Sequence, residues 1–150
     1  GGGLVIASAV HVRIASAAAL AVMPIARTLG NCLAVSNLRR LVALFGESRV
    51  AHMILTAELM DADGLLASGF VHEVLPDQHT LMARAMEIAN RMKTMAPLTI
   101  QASLEGLRRL RGAIPLPNDQ DLIKRSYVSA DFAEGVRAFL EKRKPDWQGK

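Results

Sequence analysis

The sequence predicts an α/β fold in which the strands lie within residues 1–76 and residues 77–150 are helical. Short segments with strand-like alternation or bounded by proline and small residues occur only in the first part, at His11–Ala15, Leu20–Met23 and Phe70–Leu75. Beyond Pro76, apolar residues recur at helical spacing, as in Leu81, Ala85, Ile88 and Met92. A composition that is 51% hydrophobic and 21% charged is typical of a folded chain with a substantial core.

The first ten residues combine three glycines with a run of small and apolar side chains, which predicts a buried helix that starts at the glycines. The first amides of a helix have no partner within it, and the dipole there is positive, so such a start can bind an anion. If the anion is a thioester oxygen that gains charge during a reaction, these glycines form half of an oxyanion hole. Three glycines are also typical of a linker, and the residues alone leave both interpretations open.

In the middle of the chain, the sequence pattern predicts a loop followed by three helices. The loop runs from Ile25 to Asn31. Apolar residues at Leu38, Leu41, Val42 and Phe45 predict an amphipathic helix that ends at Gly46. We expect Ser48 to cap a second helix that extends to about Ala57, and Asp61 to cap a short third helix that stops at Gly69.

Over residues 77–150, the sequence pattern predicts four helices. The first carries the stripe described above, and Pro97 opens the second, near residues 100–110. Residues 112–118 contain two prolines and predict a loop, and the last two helices lie at about 119–130 and 131–142. Because these helices have apolar stripes and little sheet to cover, we expect them to pack on another subunit or to fold back on the core.

A net charge of +4 and a pI near 9.7 favour an anionic partner. The basic residues form short groups at Arg39–Arg40, Arg108–Arg111 and Lys142–Lys144. These groups are either solvated helix faces or phosphate-binding sites for a nucleotide-bearing cofactor or nucleic acid. Because no aromatic residues alternate with them, nucleic acid is the less favoured partner.

Several other classes of protein are disfavoured by the sequence. The single Cys32 rules out an internal disulfide and favours a reducing, cytoplasmic compartment. No apolar run is long enough to cross a membrane, and Arg13 interrupts the only segment that resembles a signal peptide. The four histidines lack metal-ligand spacing, so we expect no metal site.

Four stretches in the same order resemble the crotonase family, the enoyl-CoA hydratase/isomerase superfamily. The last of them, Asp131-Phe-Ala-Glu-Gly-Val-Arg-Ala-Phe-Leu-Glu-Lys-Arg-Lys-Pro145, is very similar to the closing pattern of the family. The others are Gly1–Leu4 with Arg13–Ala15, Leu41–Gly46 with Ile54–Thr56, and Asp61–Ala62 through Gly69–Pro76. The resemblance covers nearly the whole chain but only the C-terminal part of a family member.

This resemblance implies a partial ββα spiral core over residues 1–76 and a helical trimerisation region over residues 77–150. It implies an acyl-CoA thioester as the substrate, with coenzyme A as part of that substrate and no covalently bound cofactor, and a homotrimer or a dimer of trimers. By position, the backbone amide of Gly2 would be one of the two that hold the thioester oxygen. Its place at a helix N-terminus suits that role.

The sequence departs from family hydratases at the two positions where they carry catalytic glutamates. Val5 and Ile25 stand there. Because an aliphatic side chain cannot transfer a proton, hydration by the usual pair of carboxylates is not available to this chain. In the altered loop after the second predicted strand, Asn31 could orient a water molecule or cap the next helix, and the cap is the favoured interpretation.

Two positions near the C-terminus match family residues that enclose the adenine and phosphate of coenzyme A, often from a neighbouring subunit. They are Phe139 and Lys142. Phe139 is equally consistent with helix packing, and Lys142 with a solvated position. The hypotheses are therefore a thioester enolate-stabilising lyase or isomerase, a non-catalytic protein that binds coenzyme A, and, less favoured, an RNA-binding protein.

Overall fold

The computed structural model describes all 150 residues and contains nine helices and a single pair of very short strands. In chain order the elements are α1 (Gly2–Ser8), β1 (Ala15–Ser16), α2 (Ile25–Thr28), α3 (Val35–Phe45), α4 (Glu47–Thr56), α5 (Ala62–Ala67), β2 (Val74–Leu75), α6 (Gln78–Lys93), α7 (Pro97–Gly112), α8 (Gln120–Tyr127) and α9 (Ala130–Leu140). The strands pair in parallel, with Ala15 opposite Val74 and Ser16 opposite Leu75. The predicted α/β class is confirmed, with helix far in excess of strand.

The core lies in the first half of the chain, where α1, α3, α4 and α5 pack together. Leu4 of α1 is buried against Leu41 and Phe45 of α3, together with residues of α4 and α5. The rings of Phe45 and Phe70 stack with their centroids 4.5 Å apart. This core holds α1 in place, so it fixes the direction in which the first amides of that helix point.

The opening helix is confirmed, but the prediction that it is buried is only partly right. Leu4 and Ser8 are buried, whereas the Ile6 side chain is 73% exposed and Gly2 and Gly3 are exposed. Residues at i and i+4 share one face of a helix, and only that face of α1 meets the core.

The three predicted strands are much shorter than expected because few of their residues find a partner. Of Leu20–Met23, only Ala21 pairs, in an antiparallel bridge with Met60 in which both N–H···O distances are 2.8 Å. Residues 25–31 are not wholly a loop, since α2 begins there. The carbonyl of Pro24 accepts from the amides of Arg27 and Thr28, which closes that helical turn.

Apart from α2, helix boundaries in the first half follow the predictions, except for one cap. Gly46 has φ of +80° and lies between α3 and α4, so it ends the first helix and precedes the second. The prediction that Ser48 caps α4 is wrong, because the helix already begins at Glu47. Asp61 caps α5 as predicted, and its carboxylate accepts from the Gly64 amide at 2.8 Å.

The two longest helices, α6 and α7, bury none of their residues. Large apolar side chains remain exposed on them, namely Met82, Met86 and Met92 on α6 and Leu98, Leu107 and Leu110 on α7. In contrast, α8 and α9 fold back on the first half of the chain, as the hydrogen bonds described below show. No helix combines the length and the apolar character that crossing a membrane requires.

Candidate active site

The amide of Gly2 lies at the first position of α1 and is exposed. The first amide of this turn that has a partner is that of Leu4, which donates to the Gly1 carbonyl at 3.0 Å. No loop, turn or cap hydrogen bond is donated by Gly2 or Gly3, and the helix has no earlier carbonyl for them. Two neighbouring N–H groups are therefore free to bind an anion at the positive end of the helix dipole.

The space in front of these glycines is open. A Cβ atom built on Gly1, Gly2 or Gly3 would meet no heavy atom within 4 Å. Gly1 and Gly3 also line a largely apolar cavity of about 640 Å³ between α1 and the segment from Val12 to Val22. A ligand atom can thus approach the backbone without displacing a side chain of this chain.

The two positions that lack glutamate face different surroundings. Val5 is half-buried on α1 and packs against the core. Ile25, at the start of α2, also packs against the core and lines a second cavity, of about 610 Å³, with Asn31 and Cys32. Gly2 and Val5 do not line that cavity. The structure therefore does not bring Gly2, Val5 and Ile25 together around a single cavity.

The Ile25 cavity is closed on its far side by α8, α9 and the C-terminal tail. The Ser126 hydroxyl donates to the Gly30 carbonyl at 3.0 Å, and the Cys32 thiol lies 3.7 Å from the Leu122 carbonyl. A Cβ built on Gly135 would lie 2.5 Å from the Leu29 carbonyl oxygen, so α9 touches the backbone of the loop. The loop after α2 takes its shape from residues about a hundred positions later in the chain.

Asn31 does not cap α3, so the favoured interpretation of this residue is wrong. The first amide of that helix, on Val35, instead donates to the Asp119 carboxylate at 2.7 Å. The Asn31 amide nitrogen lies 3.5 Å from the Tyr127 hydroxyl, and its Oδ1 is buried without a hydrogen-bond partner. Its proposed role in orienting water stays a prediction.

Sequence reasoning missed Tyr127, Trp147 and Asp119 as residues that shape this loop. Trp147 approaches within 3.1 Å of a Cβ built on Gly30, whose φ is +64°. Tyr127 packs against Phe132, with centroids 4.8 Å apart. All three lie far from the loop in sequence and follow no local pattern, so nothing in the sequence pointed to them.

The end of α9 exposes both residues that the resemblance assigns to coenzyme A. The Phe139 side chain is 69% exposed and Lys142 is exposed. Lys142 has φ of +55° and lies in a Schellman motif that ends α9. In this motif the Lys142 amide donates to the Phe139 carbonyl, and the Arg143 amide donates to the Ala138 carbonyl at 3.0 Å. Glycine is the usual residue at such a position, so a lysine there is conformationally costly.

The segment after Lys142 is held against α9 by Glu134. Its carboxylate receives two bonds from the Arg143 guanidinium and one from the Asp146 amide at 3.0 Å. These bonds lower the pKa of Glu134 to about 2, and the bonds from Arg143 make the largest contribution.

The chain has no group of three or more histidine, cysteine or acidic side chains placed to hold a metal ion.

A profile described as enoyl-CoA hydratase/isomerase matches residues 1–150. The chain belongs to this family. The crotonase resemblance read from the four sequence stretches is thereby confirmed. The sequence identity of the chain to individual family members is moderate. The chain is 31% identical over 126 residues to 2,3-dehydroadipyl-CoA hydratase of Escherichia coli, and 32% identical over 158 residues to carnitinyl-CoA dehydratase of Citrobacter koseri.

Solved crotonase-family structures superpose on the whole chain. A crystal structure of methylmalonyl-CoA decarboxylase matches with 29% identity and a TM-score of 0.89, over 100% of this chain and 60% of that one. Carnitinyl-CoA hydratase from Mycobacterium avium matches with 28% identity and a TM-score of 0.78, over 100% and 59%. The match to the Escherichia coli hydratase covers 82% of this chain and 49% of that protein. The match to the Citrobacter koseri dehydratase covers 100% of this chain and 59% of that protein. The chain thus spans about half to three-fifths of these family members.

For this family member, replacing Lys142 with glycine should raise the free energy of unfolding by about 1 kcal/mol, because glycine has no Cβ to strain the left-handed backbone. The same change should weaken binding of coenzyme A if the ammonium group contacts a phosphate. Chemical denaturation and calorimetry with coenzyme A measure the two effects.

Lys144→Gly is the matched control, since Lys144 carries the same charge two residues later and lacks a positive φ. We expect it to leave the affinity for coenzyme A unchanged and not to stabilise the fold. Equal affinities for the Lys142→Gly and Lys144→Gly variants would remove Lys142 from the proposed coenzyme-binding residues.

Proposed function

We propose that the protein is an acyl-CoA-processing lyase that stabilises a thioester enolate, and that it decarboxylates a 2-carboxyacyl-CoA. The observation that carries this proposal is an unpaired, exposed amide pair at the start of α1 in a chain that lacks both hydratase glutamates. The first feature suits charge developing on a thioester oxygen. The second restricts which reactions can generate that charge.

Decarboxylation forms an enolate without a catalytic base. The bond between Cα and the carboxylate breaks, carbon dioxide leaves, and the electron pair moves into the thioester carbonyl. The Gly2 amide would donate to the oxygen that becomes negative. Cα then takes a proton from water, which gives the shortened acyl-CoA. Neither Val5 nor Ile25 needs to move a proton in this sequence of steps.

The apolar cavity beside α1 also suits the departing group. Gly1 and Gly3 line it together with mostly hydrophobic side chains, and neither Val5 nor Ile25 is among its lining residues. An apolar surrounding favours uncharged carbon dioxide over the carboxylate from which it forms. A hydratase needs ionisable groups that hold and deliver a water molecule, and this chain has Val5 and Ile25 where family hydratases carry them.

The curated relatives are hydratases and dehydratases, but the structural superpositions favour a decarboxylase. Three structures of methylmalonyl-CoA decarboxylase superpose with TM-scores of 0.89 to 0.91. Five hydratase, racemase or dehydratase structures superpose with TM-scores of 0.68 to 0.79, at similar sequence identity. The backbone of this chain is thus more similar to the decarboxylase than to those other members.

A non-catalytic protein that binds coenzyme A is the second candidate, and the same two aliphatic residues favour it. Assays with malonyl-CoA, methylmalonyl-CoA and crotonyl-CoA separate the candidates. We expect carbon dioxide release from a malonyl-type thioester, with deuterium from D₂O at Cα of the product, and no loss of the conjugated absorbance of crotonyl-CoA. Calorimetric binding of all three thioesters without turnover would support the second candidate, and hydration alone would overturn decarboxylation.

The assembly and its location stay predictions. The apolar side chains exposed on α6 and α7 support contact with another copy, as a homotrimer or a dimer of trimers would provide. A reducing, cytoplasmic compartment agrees with the free Cys32. The division into a core over residues 1–76 and a helical region over 77–150 also remains a proposal.

A further inference from the structure

We propose that a cavity between α3 and the C-terminal ends of α1 and α7 binds a small ligand with several phosphate groups. The cavity has a volume of about 670 Å³, within the usual range for ligand sites. Five arginines line it, and no carboxylate does; the arginines are Arg13, Arg39, Arg40, Arg108 and Arg111. They come from three separate parts of the sequence and are brought together only by the fold.

Three of these arginines have partners within the protein. Arg13 donates to the Phe70 carbonyl at 2.5 Å and lies over the Phe70 ring, and burial lowers its pKa. Arg39 donates to the Ile114 carbonyl at 2.6 Å. Arg108 pairs with Glu105 at 2.6 Å. Only Glu105 among these partners is charged, so most of the positive charge at the cavity is not neutralised.

The side chains of Arg40 and Arg111 have no hydrogen-bond or ion-pair partner in the protein. Arg40 is half-buried in the middle of α3, where it is neither at a helix end nor on a fully solvated face. Arg111 lies in the last turn of α7, where the helix dipole accounts for part of its placement. Arg111 is exposed. Guanidinium groups that lie beside other cations and have no acceptor in the protein favour an anion from solution.

A ligand with several phosphates fits these cations better than a single carboxylate does. A guanidinium group is planar and can donate to two phosphate oxygens at once. The two guanidinium groups without partners, those of Arg40 and Arg111, can therefore bind more than one phosphate. The cavity lies at the opposite end of α1 from Gly2, so the inference does not depend on the proposed function. The phosphates can belong to a free polyphosphate or to the nucleotide end of a coenzyme.

Calorimetry with sodium tripolyphosphate at low ionic strength tests the proposal. We expect saturable binding to the full chain, with Arg40→Gln and Arg111→Gln each raising Kd about tenfold or more. Arg109→Gln is the matched control, because Arg109 lies on the same helix and pairs with Glu105 but does not line the cavity. It should change Kd by less than about twofold.

Thermal unfolding without ligand shows whether the variants remain folded. Because the Arg40 side chain has no partner in the protein, Arg40→Gln should leave Tm unchanged or raise it, whereas Arg111→Gln should lower Tm only slightly, by loss of its interaction with the helix dipole. A second titration, with coenzyme A in the presence of tripolyphosphate, distinguishes the two phosphate sources: competition indicates the coenzyme, and independent binding indicates a free polyphosphate. Absence of saturable tripolyphosphate binding to the wild type, or equal weakening by Arg109→Gln, would overturn the proposal.

Discussion

Replacing Gly2 with proline should lower turnover of the thioester substrate about 10²–10³-fold. Proline has no N–H, so the change removes the proposed donor to the enolate oxygen. Proline is well tolerated at the first position of a helix, where its fixed φ suits the backbone and no intrahelical bond is lost. Steady-state kinetics on a malonyl-type thioester, the substrate class of the proposed function, measures the effect.

Gly2→Ala is the control for this prediction. Alanine keeps the amide, and its Cβ would meet no atom of the chain within 4 Å. We expect its turnover to stay within a few-fold of the wild type and its circular dichroism spectrum to match that of the proline variant. Undiminished turnover in a folded Gly2→Pro variant would show that this amide does not stabilise the reaction.

Replacing Gly135 with alanine should destabilise the fold by about 1–3 kcal/mol or more. The added Cβ would lie 2.5 Å from the Leu29 carbonyl oxygen and 2.7 Å from its carbon. Both are backbone atoms, so no side-chain rotation relieves the clash, and α9 must move away from the loop. Urea denaturation measures the loss of stability.

Gly106→Ala provides the matched comparison on another helix. Gly106 lies within α7, and a Cβ built there would meet nothing within 4 Å. Because alanine favours helix more than glycine does, this change should stabilise the protein by about 0.5–1 kcal/mol. A similar stabilisation by Gly135→Ala would show that the close approach of α9 to the loop is absent in solution.

The sequence predicted the helices well because their signals are local. The stripe from Leu38 to Phe45, the Asp61 cap and Pro97 each act within a few residues, and each predicted element is present. Strands were overestimated because a strand needs a neighbour, which no short segment can show. The expected strands form only two parallel residue pairs, Ala15–Val74 and Ser16–Leu75, and one isolated bridge from Ala21 to Met60.

The candidate site was less predictable because distant residues build it. The glycine run is a local pattern, but the choice of Gly2 within it, like that of Val5 and Ile25, came from the family resemblance. The Asp119 cap on α3 could not be anticipated, since its carboxylate comes from far along the chain. The arginine cavity was equally hidden, because the sequence shows Arg39–Arg40 and Arg108–Arg111 only as separate groups.

The contact between Leu29 and Gly135 has a consequence for synthesis in the cell. These residues are separated by roughly a hundred positions, so their meeting is a high contact-order event. While a ribosome is still making α9, the nascent polypeptide can form α3 and α4 from nearby residues. It cannot yet fix the wall of the Ile25 cavity. That wall can form only after α9 has left the ribosome, so truncation before Gly135 would leave it unformed.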